Sequence, residues 1–314
     1  MNRNLVVLFF GGVLLSLASC QNSEKSLSIG GVALVGSKES KANEERNLSQ
    51  QFKDYWYAGE AEITSYSLQQ ERYGELRQGT AVMVFVTEDF VPQKQVKANR
   101  FSDENIPILK LNTTKKFLTG VYPYSIMTSA FKPVRNTDHA IKVTNSVQEW
   151  CGQVYMQINN REKFEFMGHS YFESEGDQNY TLPKTWLEDE LWSLIRINPE
   201  ELPTGDLQII PSMESLRLRH KKVAAYDAVA SLKQGDSLTT YEVRYPGLER
   251  DLVIYFNSTF PFEIEKWEET NSGWGNKEER LKTSATRMKR LKSAYWTKNN
   301  NSDEYLRKEL GLKP

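Results

Sequence analysis

Beyond residue 52 the chain alternates apolar and polar positions with a period of two, the pattern of strands that bury one face. Residues 55–68 set Tyr57, Gly59, Ala61 and Ile63 against Trp56, Ala58, Glu60 and Glu62, and the segment Arg72-Tyr73-Gly74-Glu75 is turn-like. Residues 80–87 (TAVMVFVT) are apolar enough for a central strand. Shorter alternating runs follow at 106–111, 122–130, 140–147, 150–158 and 163–172, with a tight connection expected at Asn159-Asn160. Consecutive strands on short loops pair antiparallel.

The period then changes. Thr185-Trp186-Leu187-Glu188 has the form of a capping box with Thr185 as N-cap, and Leu187, Leu191, Leu194 and Ile195 continue at helical spacing until Pro199 and Pro203. Strands are expected again at 207–210, 222–231, 238–244, 252–256 and 262–267. Residues 281–294 read as a strand entering a short helix, and 303–310 as a closing helix. Without repeats or a Pro- or Gly-rich linker, residues 51–314 form one β-rich domain.

The N-terminus is of another kind. Arg3, an apolar run over 5–15 and the small residues Ser16, Ala18 and Ser19 have the layout of an export signal, and the run is short for a membrane span. Leu17-Ala18-Ser19-Cys20 resembles the lipobox of bacterial lipoproteins. That resemblance implies cleavage of residues 1–19 and lipid on Cys20, with 20–50 as a lipidated, flexible tether rich in Ser, Glu, Lys and Asn. Two or three acyl chains hold a stable tether where one does not. The absence of Asp directly after the cysteine implies an outer-membrane address facing the periplasm.

Composition narrows the partners. Net charge is −1 with a pI near 6.4, so no electrostatic footprint for nucleic acid is present. The second cysteine, Cys151, is expected as a small buried hydrophobe. Aromatic residues are abundant, at 15 Tyr, 14 Phe and 7 Trp.

Reactive constellations are missing. His139, His169 and His220 are widely spaced, with no H-E-x-x-H or C-x-x-C, so no metal site is expected. The 173–179 segment (ESEGDQN) lacks the calcium-loop pattern and reads as a solvated turn. There is no G-x-S-x-G elbow and no phosphate or dinucleotide fingerprint, which leaves no catalytic or cofactor-binding residue to name. Glu60 and Glu62 read as an exposed strand pair, and Glu188, Asp189 and Glu190 as acids placed for a helix dipole. The one charge concentration runs from Lys277 to Lys292, and Lys282, Arg287, Lys289 and Arg290 are its candidates for contact with an anionic surface.

Two resemblances go further. Tyr55-Trp56-Tyr57-Ala58-Gly59-Glu60-Ala61-Glu62, residues 80–87 and Pro261-Phe262-Glu263-Ile264-Glu265-Lys266-Trp267-Glu268 look like an uncharacterised lipoprotein family of Bacteroidota. Its members are sometimes labelled "septum formation inhibitor Maf"; true Maf proteins have an S-x-S-x-R-R loop and a βαβ pattern that this chain lacks. The order of strands, the helix near Trp186 and the strands after Gly205-Asp206-Leu207 are similar to periplasmic β-rich domains of unknown function with a sheet like that of lipoprotein carriers. The resemblance implies a mainly β fold, a large curved antiparallel sheet or half-open barrel with a few short helices, whose concave face would hold an apolar ligand. The expected function is a membrane-anchored, non-enzymatic module of the envelope that binds an apolar ligand, a glycan or a protein partner. An envelope hydrolase using unrecognised carboxylates, marked by acids with raised pKa in a concave pocket, and a structural protein, marked by a filled interior, are the alternatives.

Overall fold

In the computed structural model, which describes residues 45–273, 275 and 279–313, one antiparallel sheet accounts for nearly all the regular structure. Its first half comprises β1 (Ala61–Arg72), β2 (Glu75–Val91), β3 (Val96–Lys97), β4 (Ile106–Thr119), β5 (Tyr122–Pro133), β6 (Lys142–Glu149), β7 (Gly152–Asn160), β8 (Phe164–Ser170) and β9 (Gln178–Leu182). Its second half comprises β10 (Trp186–Leu187), β11 (Gly205–Ile210), β12 (Tyr226–Lys233), β13 (Leu238–Tyr245), β14 (Arg250–Asn257), β15 (Ile264–Thr270) and β16 (Lys282–Ser293). Helices are short: α1 (Gln50–Trp56), α2 (Glu188–Ile197), α3 (Met213–Leu218) and α4 (Tyr305–Glu309).

The strand order is β10-β11-β12-β13-β14-β15-β16-β1-β2-β4-β5-β6-β7-β8-β9, with β3 on the margin of β2. Every ladder is antiparallel except β10 with β11. The two terminal strands, β9 and β10, are joined by residues 183–185 alone, a link that spans at most about 14 Å. The sheet must therefore curl until its ends approach, although no ladder joins them. Bulges at Ser65/Tyr66 and Tyr255/Phe256 help it bend. Gly79 allows β2 and β4 to close up: a Cβ there would sit 2.4 Å from the carbonyl oxygen of Lys116.

Alternation explains which face turns inward. In β14 every second residue is buried, as in β8. The inward faces meet helices rather than an open hollow: α2 lies against β4 and β5, and α3 against β5 and β6. Ile158, Phe164 and Phe166 from one end of the sheet pack in the same cluster as Leu187 and Ile210 from the other and Met213 of α3. Burial of each such side chain contributes about 1.5–3 kcal/mol, which favours the curl.

Several sequence expectations need correction. The expected 55–68 strand begins too early: Tyr55 and Trp56 belong to α1, because Ser49 caps the helix through the Phe52 N–H and Phe52 and Trp56 then share a buried face, and β1 starts at Ala61. Glu45 bridges to Asn136, so the folded region includes residues before 51. The second half of the β7–β8 hairpin is displaced: Asn159 and Asn160 end β7 and the turn lies at 161–163. α2 starts at Glu188; Thr185 instead donates its hydroxyl to the Gln208 carbonyl, and Glu190 accepts from the Leu187 N–H at 3.2 Å. β16 continues as a strand to Ser293, held between β15 and β1, with no helix in its second part. α3 carries no sequence signal strong enough to have been expected.

Candidate functional site

Three consecutive acids open α2, and each goes to a different destination. Glu188 receives both terminal nitrogens of Arg250 at 2.5 and 2.7 Å and the Tyr245 hydroxyl at 2.6 Å. Glu190 accepts from Lys132 at 2.8 Å and from the Ala140 N–H at 2.5 Å, and lies 2.6 Å from His139 Nδ1. Among the described residues, Asp189 receives the Met213 N–H, at 3.1 Å, and no side-chain donor. The spacing of a helix makes this divergence unavoidable, since successive residues are rotated by about 100°.

At the other end of α2, Arg196 holds Glu62 of β1 bidentately at 2.7 and 2.6 Å, and Tyr55 also donates to Glu62. The guanidinium lies 5.0 Å from the Trp56 ring and 4.7 Å from the Phe85 ring. The expected exposed pair of Glu60 and Glu62 is thus divided: Glu60 is partly exposed before β1, and Glu62 is 1% exposed. Arg250 also reaches Glu269 at 2.7 Å, and Lys115 of β4 pairs with Glu214 of α3 at 2.8 Å.

These environments set the protonation states. Burial alone would raise the Glu62 carboxyl, but Arg196 outweighs it and holds the group at about 2. Glu190, opposed by burial and favoured by Lys132 and His139, and Glu269, opposed by burial and favoured by Arg250 and Lys115, also sit at about 2. Asp189 goes the other way: burial, then the charge of Glu188, push it up to about 7. Burial also lowers Lys132 against the pull of Glu190.

Between α2, α3 and the sheet a cavity of about 40 Å³ remains, lined among others by Thr113, Thr128, Asp189, Trp192, Ser212 and Trp267. That volume suits about three waters and no acyl chain. Larger hollows, near 510 and 780 Å³, have charged linings: Arg46 and Glu201 under the N-terminal segment, and Arg244, Asp251 and Arg280 beside β14. Among the described residues no group of His, Cys, Asp or Glu is spaced to hold a metal ion, and no helix is long and apolar enough to cross a membrane.

The outside has a second feature. The β1–β2, β4–β5, β6–β7 and β8–β9 turns lie at the same end of the sheet, because the strands they join are consecutive antiparallel neighbours. Three of them form an apolar ridge. Val121 is 79% exposed, Trp150 69% and Tyr171 78%, with Leu118 beside Val121 at 57%. Tyr122 stands 6.5 Å from the Trp150 ring, and the Tyr171 ring lies where a Cβ on Gly152 would be, 2.8 Å away. Cys151 sits in this ridge and is exposed, which overturns the expectation of a buried hydrophobe. The β6–β7 hairpin reverses there and carries the thiol out of the sheet. Glu149 raises its pKa, by hydrogen bonding and then by charge, so the thiol form dominates.

The residues singled out in sequence fare unequally. Leu17, Ala18, Ser19 and Cys20 lie outside the described residues, as does Lys277. Lys282, Arg287, Lys289 and Arg290 all fall on β16, but glutamates of the β15 region answer three of them. Lys282 pairs with Glu268 at 3.1 Å, Arg287 with Glu265 at 2.6 Å, and Arg290 with Glu263 at 2.8 Å. Lys289 is exposed and packs its stem beside Gly311. The histidines are each matched to an acid: His139 to Glu190, His169 to Asp177 and His220 to Glu175. The interior pairs went unseen because their partners are 134 and 62 residues away: Arg196 sits in an apolar run, and Arg250 sits between Glu249 and Asp251 yet pairs with Glu188; an arginine in a buried register position is the signal that would have found them. Comparison with protein-family models, with curated proteins and with solved structures finds no match for this chain.

Proposed function

We propose that the protein is a non-enzymatic docking module of the bacterial envelope, tethered by lipid on Cys20, whose working surface is the apolar ridge at the turn end of the sheet. The observation that carries this reading is the contrast between a concave face occupied by α2 and α3 and a ridge of exposed Val121, Trp150 and Tyr171. An apolar ligand held inside the sheet is disfavoured, since the interior void is about 40 Å³. Large apolar side chains projecting from neighbouring turns are what a protein partner uses as anchors, with Trp and Tyr the commonest hot-spot residues. The N-terminal segment supports the tethering half. Arg46 binds Glu201 and the carbonyls of Pro133 and Val134, so the first described residues lie at the end of β5 opposite the β4–β5 turn.

The test uses the full chain in intact cells. A photo-crosslinking residue at position 150 is expected to give a discrete protein adduct that disappears with Tyr171→Ser and Val121→Ser, whereas the same residue at exposed position 236 gives none. Equal adducts from both positions, or none from the ridge, would refute the docking surface. Cys20→Ala is expected to abolish fatty-acid labelling and membrane association; retained labelling would refute the anchor.

A further inference from the structure

Asp189 is the one acid at the start of α2 without a cation. Glu188 is taken by Arg250 and Glu190 by Lys132, while the Asp189 carboxylate has the Met213 N–H on Oδ2 and borders the cavity. Its side chain is nearly inaccessible, with the residue 8% exposed, so water does not solvate it as bulk solvent would. The cavity wall is acidic overall: Glu188, Asp189, Glu214 and Glu269 face Lys115 and Arg250, and both cations are already committed to the other three acids. Four acids against two cations leave two negative charges when Asp189 is ionised, and one when it is protonated.

The remaining walls suit a cation. Trp192 and Trp267 meet edge to face, 5.6 Å apart at 85°, and both border the void. Indole faces attract cations, and aromatic walls around a carboxylate are the usual means of holding an ammonium group. The hydroxyls of Thr113, Thr128 and Ser212 offer acceptors for N–H donors that Asp189 does not take. Beside Thr128, on β6, the amide oxygen of Asn145 is buried without a partner while its nitrogen donates to the Thr128 hydroxyl. Thr113, Thr128, Trp192 and Ser212 each keep part of their surface accessible, so the void is not sealed. An anion would meet the uncompensated acid.

We infer that the cavity bounded by Asp189, Trp192 and Trp267 is a binding site for the primary ammonium group of a small organic amine. Asp189 supplies the counter-charge, the threonine hydroxyls accept the remaining N–H bonds, and the indoles cover the carbon next to the nitrogen. The void of about 40 Å³ limits the buried end to about the size of methylammonium. This site is separate from the docking ridge and does not depend on it.

The test is thermal unfolding of the full chain in detergent micelles at pH 8, where Asp189 is mainly ionised, titrated with methylammonium chloride against sodium chloride of equal ionic strength. Methylammonium is expected to raise the unfolding temperature saturably, and tetramethylammonium, too large for the void, is not. Asp189→Asn is expected to weaken half-saturation about tenfold or more, the loss of one charge-assisted hydrogen bond. If that variant does not fold, Thr128→Val takes its place, with a weakening of several-fold expected. A rise no greater than that with sodium chloride, or half-saturation unchanged in the variant that folds, overturns the inference.

Discussion

The centre of the molecule and the turn end of its sheet have opposite polarity. Around α2 the centre of the molecule holds charges: Glu62, Glu188, Glu190, Lys132, Arg196 and Arg250 are each 2% exposed or less. At the turn end of the sheet the surface holds apolar groups, Val121, Trp150 and Tyr171. A globular protein is expected to do the reverse. The interior inversion is tolerable because each buried charge is paired and hydrogen-bonded, and desolvation of an unpaired one would cost several kcal/mol. The exterior inversion has no such compensation among the described residues, and the proposed docking role rests on it.

Breaking the interior gives the largest expected effect. Glu188→Ala strands the Arg250 guanidinium beside Glu269 alone and is expected to cost about 3–5 kcal/mol in denaturant unfolding. A loss below about 1 kcal/mol would mean that water reaches the pair and that the interior is not dry.

Asp189 sharpens the same comparison by pH. Its carboxyl titrates near 7 when folded and near 3.8 when exposed, so between these values the folded state binds the extra proton. Stability is therefore expected to fall as pH rises from about 4 to about 7 and to level off above, by at most about 4 kcal/mol from this group. Asp189→Asn should flatten that limb and unfold later than the parent at pH 8; equal slopes in parent and variant would remove Asp189 as the cause.

The smallest effect belongs to the outer face of β16. Arg287→Ala removes a pair with Glu265 in which the arginine side chain is 37% exposed, and should change stability by less than about 1 kcal/mol, less still in high salt. A larger loss would place this strand among the structural pairs of the interior.

How much of this was legible in the sequence differs by element. The apolar run of 80–87 falls within β2, the alternation of 150–158 coincides with β7 from Gly152 onward, and the helical spacing of Leu191, Leu194 and Ile195 falls within α2. These patterns are local, set by the two- and 3.6-residue periods of the backbone. α1 was misread because Tyr55 and Trp56 carry strand propensity, while the Ser49 cap and the packing of Phe52 on Trp56 decide for helix. Cys151 was misplaced because alternation does not show where a hairpin reverses.

What the sequence by itself determined is the antiparallel β architecture, since period-two burial and short connections leave few other folds. It also set the expectation of an export signal and a lipid-bearing cysteine ahead of the domain. Only the tertiary structure decided that the concave face is filled and that Glu62 meets Arg196 across 134 residues and Glu188 meets Arg250 across 62. It alone left Asp189 without a cation and lined up Val121, Trp150 and Tyr171 on one end. The reason is physical: a residue's own neighbours fix its period and its face, whereas its partner depends on how far the sheet curls and on which helix fills it.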